Sequence, residues 1–276
     1  MKKLAVIGAG SMAEALISGV IRNQLIESKS IWVTNKTNQL KLDTLQSQYG
    51  VSTTYQLHEL FHETEIVILA MKPKDAVEAI TYIKDYLTKD MLIISVLAGV
   101  SMDTIEHLSE KSLAIVRAMP NTSAAVGKSA TALAINSKVT DTQMKLVKNM
   151  FATVGLTTIV EENQLDAVTG LSGSGPAYIY YLAEAMEKSA TDIGLEKGMA
   201  KKLIVQTLIG AAEMLAKSSK EPQQLRKEVT SPGGTTEAGI KILEAYEVQH
   251  AFIDCIKEAT AQSKRLGQTI NSCVKV

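Results

Sequence analysis

The sequence predicts an α/β fold followed by an all-helical second half, and three observations carry that reading. From residue 1 to about 160, short β-branched runs alternate with amphipathic, helix-like segments. Beyond about Asn163 the strand signals stop, and Ala, Leu, Lys and Glu recur at helical spacing. A length of 276 residues, 46% of them apolar, suffices for one large domain or two moderate ones. The boundary read from these shifts divides the chain into residues 1–162 and 163–276.

The candidate strands of the first part are 4–8, 31–34, 66–70, 92–96 and 114–118. Most are apolar on both faces, as strands covered by helices on each side should be. Residues 130–135, a helix over 140–151 and a strand over 157–160 extend the same sheet. In the second part helices are predicted over 175–193, 196–217, 235–243 and 248–266, broken by Gly194, Pro222 and Pro232-Gly233-Gly234. Leu203, Val205, Leu208, Ile209, Ala211, Ala212 and Leu215 leave little of one helix polar, so it should pack on more than one side. Burial in a homodimer, or a larger assembly built from it, would meet that need, since an obligate interface resembles a core cut in half. A tightly packed monomeric bundle is the alternative.

Composition narrows the function. With 29 Lys+Arg against 29 Asp+Glu and only twelve aromatics, the chain is not suited to holding nucleic acid by phosphate neutralisation or base stacking. Met1-Lys2-Lys3 before Leu4-Ala5-Val6-Ile7 has the outline of a secretory signal, but Glu14 interrupts the run and the glycines at 8 and 10 suit a turn. No stretch offers the roughly 20 unbroken apolar residues of a membrane span. The expectation is a cytoplasmic, unprocessed protein. Cys255 and Cys273 are too few for a disulfide scaffold or a four-thiolate zinc site and read as free thiols.

Gly8-Ala9-Gly10-Ser11-Met12-Ala13 follows the first strand and opens a helix, which is the context a G-x-G-x-x-A phosphate-binding turn requires. Gly8 permits the tight turn, Gly10 lets a pyrophosphate approach the backbone, and Ala13 keeps the helix close to the sheet, the arrangement of a Rossmann dinucleotide-binding domain. Free N–H groups at the helix start then hold the anion. NAD-binding versions usually end the second strand with an acid for the ribose 2′-hydroxyl. Here that strand ends in Thr34-Asn35-Lys36-Thr37, with no carboxylate between Glu27 and Asp43. Hydroxyls, an amide and an ammonium suit a 2′-phosphate, so NADPH is expected over NADH, with NADH a weaker second.

Two motifs point elsewhere and are discounted. His58-Glu59-Leu60-Phe61-His62 is a literal H-E-x-x-H, but it has room for only about two turns, and Glu65 and Ile68 stand where the extended zinc pattern needs glycine and a third histidine. Glu78, on the next crossover helix, is too distant a candidate, and no metal is expected. Gly127-Lys128-Ser129 ends like a phosphate-binding loop, yet Thr122 occupies the place of its first glycine. Four other clusters are harder to dismiss: Met71-Lys72-Pro73, Met119-Pro120-Asn121, Ser172-Gly173-Ser174-Gly175-Pro176, and Thr230-Ser231-Pro232-Gly233-Gly234-Thr235-Thr236. Helix capping alone would explain any one of them, but four together imply a site.

These clusters, with Gly8 to Met12 and Leu69 to Pro73, give the chain a resemblance through nearly its whole length to the pyrroline-5-carboxylate reductases, which make L-proline. Gly170-Leu171-Ser172-Gly173-Ser174-Gly175-Pro176-Ala177-Tyr178 and the 230–236 loop, in that order, are its most specific parts. The resemblance implies a Rossmann domain that binds NAD(P)H and a helical domain that dimerises by interlocking with its partner, the active sites being shared between subunits. It places Gly8, Gly10, Ser11 and Met12 at the pyrophosphate and Asn35, Lys36 and Thr37 around the 2′-phosphate. Ala70, Met71, Lys72, Pro73 and Ala98 would line the ribose and nicotinamide. Gly234, Thr235 and Thr236 would present backbone N–H groups to the substrate carboxylate, the Thr236 hydroxyl would reach the ring nitrogen, and Ser231 and Glu162 would also bind at the substrate pocket. No His, Cys or Lys base is obligatory for reducing a protonated cyclic imine. Related β-hydroxyacid dehydrogenases generally use a lysine on the first interdomain helix, and residues 175–187 carry none. A nucleotide-binding regulatory dimer without activity is the remaining alternative, against which the intact 231–236 loop speaks.

Overall fold

The structure is a computed structural model and describes residues 3–274; the side chains of residues 271, 273 and 274, and with them the Cys273 thiol, lie outside the described set. The chain forms two compact units, one of Met1–Pro176 with Lys257–Val276, the other of Ala177–Ile256.

The first unit is built on one eight-stranded sheet. Its strands are β1 Lys3–Ile7, β2 Ile31–Thr34, β3 Ser52–Thr53, β4 Thr64–Leu69, β5 Leu92–Ser95, β6 Ala114–Met119, β7 Ser129–Ile135 and β8 Gly155–Ile159, in spatial order 3-2-1-4-5-6-7-8. All neighbours run parallel except β6 and β7. Around it lie α1 Ser11–Arg22, α2 Gln39–Tyr49, α3 Leu57–Phe61, α4 Ala76–Ile83, α5 Met102–Ser109, α6 Asp141–Ala152 and α7 Leu165–Val168. Alternate side chains of each strand feed two cores. Leu4, Val6, Ile66, Ile68, Leu92 and Ile94 pack with α1, α2 and α6 on one face, and Ala5, Ile7, Val67, Leu69 and Ile93 pack with α3, α4 and α5 on the other. This two-sided burial explains why the strands read as unbroken apolar runs.

The sequence reading recovers the long strands to within two residues at each end and misses β3. Two residues are too few for any periodicity, and β3 exists because Ser52 and Thr53 pair with Trp32 and Val33 at the sheet edge. Residues 169–173 form a single π-helical turn between α7 and the next helix, the kind of irregularity that is frequent at functional sites.

The second unit holds most of α8 Gly175–Asp192, then α9 Lys197–Lys217, α10 Pro222–Glu228, α11 Thr235–Ala245 and the first part of α12 Val248–Val274. Its buried apolar residues are Ala190, Ala200 and Ile204 alone, while Tyr180, Tyr181, Leu203, Ile209, Leu215 and Tyr246 are exposed in the single chain. A tightly packed monomeric bundle is therefore not what these helices make. Among the described residues, no helix is long and apolar enough to cross a membrane.

The last part of α12 belongs to the first unit. Ser263 Oγ donates to Asp166 Oδ1 at 2.6 Å, and Gly267 lies against the turn after β5. A Cβ at Gly267 would stand 2.6 Å from the Gly99 carbonyl oxygen, so only glycine lets the helix seat there. Gly267→Ala adds a better helix former, worth up to about 1 kcal/mol, against about 1–3 kcal/mol for forcing a methyl into a packed site. The clash should win: urea unfolding is expected to show a loss of about 1–2 kcal/mol, and a more stable variant would refute the close approach.

Candidate active site

The strand order makes β1 and β4 neighbours whose onward connections diverge, β1 toward β2 and β4 toward β5. Crevices for ligands form outside the carboxyl ends of strands at such a switch point. A cleft of about 910 Å³ opens there, lined by Gly8, Ala9 and Gly10 after β1, by 34–38 after β2, by Ala70, Met71 and Lys72 after β4, and by one side of α4.

Local backbone explains its walls. Gly8 has φ +108° and donates its N–H to the Thr34 carbonyl at 2.8 Å, while Ala70 donates to the Ile7 carbonyl at 2.8 Å. A Cβ at Gly8 would sit 2.6 Å from the Ala70 carbonyl carbon and oxygen, so a side chain is excluded by both conformation and space. Gly10 differs: a Cβ there would meet nothing within 4 Å. The first intrahelical bond of α1 runs from Glu14 N to Gly10 O at 3.0 Å, which leaves the N–H groups of Ser11, Met12 and Ala13 free at the helix mouth. Open space before free N–H donors is what a phosphate needs.

At the end of β2, the three residues expected around a 2′-phosphate behave differently from one another. The Asn35 side chain builds the turn, donating to the Asn38 carbonyl at 2.7 Å and accepting from Asn38 N at 2.7 Å and from Tyr55 Oη at 3.2 Å. Lys36 reaches across to Glu78 Oε2 of α4 at 2.6 Å, and that carboxylate's hydrogen bond raises the Lys36 pKa above the ordinary lysine value. Thr37 is exposed on the lining. Lys41, Lys72 and Lys74 also line the cleft, against Asp75 and Glu78, and Lys41 is held by Glu14 at 2.5 Å.

In the second unit, residues 231–236 form a turn that launches α11. Gly234 N donates to Ser231 O at 3.0 Å, and Gly233, at φ +71°, donates to Glu237 Oε2 at 3.0 Å. The first helical bond is Ala238 N to Gly234 O at 3.2 Å, so the N–H groups of Thr235, Thr236 and Glu237 point out of the helix end. Both threonines are at least partly exposed.

Residues 162–266 match the family described as pyrroline-5-carboxylate reductase dimerisation, and residues 3–99 match the one described as NADP oxidoreductase, coenzyme F420-dependent. Pyrroline-5-carboxylate reductase 2 of Bacillus subtilis is 47% identical, over 96% of this chain and 95% of its own. The chain belongs to the pyrroline-5-carboxylate reductase family. Among solved structures, the reductase of Coxiella burnetii is 38% identical with a TM-score of 0.85, over 96% of this chain and 98% of that one. The Plasmodium falciparum pyrroline carboxylate reductase, solved with NADP bound, is 29% identical with a TM-score of 0.88, over 96% and 98%.

Within this reductase-family chain, Gly8, Gly10, Asn35, Lys36, Thr37, Ala70, Met71 and Lys72 come together on the cleft. Ser11, Met12, Pro73 and Ala98 do not line it: Ser11 and Met12 begin α1, Pro73 opens the turn into α4, and Ala98, in the turn after β5, packs against the core. Sequence reasoning missed Tyr55, Lys74 and Tyr82 as lining residues, and Glu78 was weighed only for zinc. The signal available was position, because α4 starts directly after the β4 turn. In the H-E-x-x-H string, α3 spans only Leu57–Phe61 with His62 as its C-cap, and the Glu59 carboxylate accepts from Thr54 Oγ1 at 2.7 Å. Among the described residues, no three His, Cys, Asp or Glu gather as metal ligands. Gly127 caps the turn over Thr122–Val126 just before β7.

Glu162 has a partner within the first unit. One of its oxygens accepts from Arg117 Nη1 and from Met102 N, both at 2.8 Å, which ties β6, the start of α5 and the segment before α7 together. The Arg117 side chain is 7% exposed and that of Glu162 33%. Glu162→Gln would leave a buried guanidinium without its counter-charge; for fully buried pairs such a change costs about 3–5 kcal/mol, and solvent at Glu162 reduces this to about 2 kcal/mol. Chemical unfolding is expected to show that loss, with most of it recovered by adding Arg117→Met. Unchanged stability would remove Glu162 from a structural clamp.

Proposed function

We propose that this protein is a pyrroline-5-carboxylate reductase that reduces the C=N bond of 1-pyrroline-5-carboxylate to give L-proline, with NADPH as the preferred reductant and NADH a weaker one. The observation that carries the reading is the pairing, in one family member, of an open glycine-walled cleft at the β1/β4 switch point with an uncapped α11 N-terminus bearing two hydroxyls. The relatives that are reductases and the NADP bound by the Plasmodium falciparum reductase support it.

The dihydronicotinamide supplies hydride to the imine carbon. This chain's residues bind, orient and handle the proton. Gly8, Gly10 and the N–H groups of Ser11 and Met12 take the pyrophosphate. Lys36 and Thr37 face the 2′-phosphate on a turn that Asn35 holds, and Ala70, Met71 and Lys72 shape the ribose and nicotinamide end, with Pro73 opening the turn behind them and Ala98 packed on the core. Thr235 and Thr236 receive the substrate carboxylate through backbone N–H groups at a helix N-terminus, where negative charge is favoured, on a turn closed by the bond from Gly234 N to the Ser231 carbonyl. Thr236 Oγ1 hydrogen-bonds the ring nitrogen as its charge changes, and Glu162 borders the pocket through its remaining oxygen. No titrating base is needed, because holding the reacting carbons together supplies most of the catalysis. Functionally, residues 1–162 serve the cofactor and 163–276 serve substrate and pairing. The protein works as a homodimer, or a larger assembly of dimers, in the cytoplasm, and has no nucleic-acid role.

The deciding assay is NADPH oxidation with 1-pyrroline-5-carboxylate beside a β-hydroxyacid run in reverse; turnover of the second alone would overturn the assignment. Loss of a single donor at a charge-changing atom typically costs on the order of 10²-fold. Thr236→Ala should therefore lower kcat by about that factor and leave NADPH affinity unmoved, whereas an unchanged kcat would take Thr236 out of the mechanism.

A further inference from the structure

Lys36 and Glu78 join the two sides of the nucleotide end of the cleft, one from the turn after β2 and the other from α4. Both side chains are two-thirds exposed, so the pair adds little to folding. It nevertheless occupies the single cation that stands at the end of β2. Asp75, beside the same cleft, adds further negative charge on Lys36. Glu78 is held firmly by the helix beneath it. Pro73 to Asp75 form a tight turn, with Asp75 N bonded to Lys72 O at 2.9 Å, and Ala76, Ile80 and Ile83 are buried, which keeps Glu78, Ala79 and Tyr82 on the cleft.

We propose that Glu78 sets the margin by which this protein prefers NADPH over NADH, by competing with the 2′-phosphate for Lys36. The proposal rests on reading the cleft as the NADPH site. A 2′-phosphate that reaches Lys36 must displace the carboxylate or share the ammonium with it, and two anions on one cation repel. A ribose 2′-hydroxyl carries no such conflict. It can donate to the carboxylate and accept from the ammonium, so NADH is compatible with the intact pair. Glu78 thereby acts as the acid that the end of β2 lacks, supplied from a different element of the fold.

The test is fluorescence titration of the full protein with NADPH and with NADH, for wild type, Glu78→Gln, Lys36→Met and the double variant. Removing an exposed charge–charge term of this size changes an equilibrium constant by about fivefold, and repulsion of a dianion enlarges it. Glu78→Gln is expected to tighten NADPH about five- to twentyfold while NADH stays the same or weakens. The gain should shrink at high salt, where exposed charges are screened, and should fall in the Lys36→Met background to the part that carboxylate–phosphate repulsion alone supplies. A merely structural change at Glu78 would move both dissociation constants together, and that result, or a ratio altered by less than about twofold, overturns the proposal. Failure of the wild type to bind either nucleotide would instead defeat the cofactor reading beneath it. Should the glutamine variant lose its cooperative melt, Glu78→Ala gives the same comparison.

Discussion

The cofactor end of this molecule depends on one close approach, that of the Gly8 backbone to the Ala70–Met71 peptide. β1 and β4 lie side by side in the sheet, and the chain leaves them in opposite directions. Their two exit turns would collide if either carried bulk at the point of contact. Gly8, with no Cβ and a positive φ, removes that conflict. The two turns then become the facing lips of a cleft, and α1 begins at its mouth with free N–H groups. The buried alternation of Leu4 to Ile7 and Ile66 to Leu69 fixes both strands from above and below, so the approach is set by two cores at once.

A neutral chain handles anions here by arrangement. The first-unit cleft has four lysines against two acids on its lining, but Lys36 and Lys41 are already paired with Glu78 and Glu14. Much of the attraction for phosphate must then come from backbone N–H groups and the α1 dipole, which no residue count records. The α11 N-terminus proposed for the substrate has the same character, with the N–H groups of Thr235, Thr236 and Glu237 at the helix end and the nearby carboxylate of Glu237 turned back onto Gly233.

This division explains what could be read from the sequence. The strands, the glycine turn and the loop at 230–236 were legible because each is a local pattern: an apolar run, a spacing of glycines, a Pro-Gly-Gly before hydroxyls. Lys36 was legible as a cation but not as one already partnered, since Glu78 is 42 residues away and joins it only through the crossover into α4. Glu162 was legible as a residue near the change from strands to helices. Its bonds to Arg117 and the α5 N-terminus span 45 and 60 residues and leave no trace in spacing. Asn35 reads as a ligand for phosphate, yet its amide is spent on the turn, a local use that asparagine shares with many loops.

The second unit carries the remaining constraint. Helices with the composition of a core bury almost none of their apolar side chains within one chain. The missing burial has to be found in other copies, which is what a dimerisation family over residues 162–266 provides. Association that buries these faces stabilises the folded unit by mass action. The α11 N-terminus proposed to hold the substrate is part of that unit, so the same association that completes its core also orders the groups that would bind the substrate carboxylate.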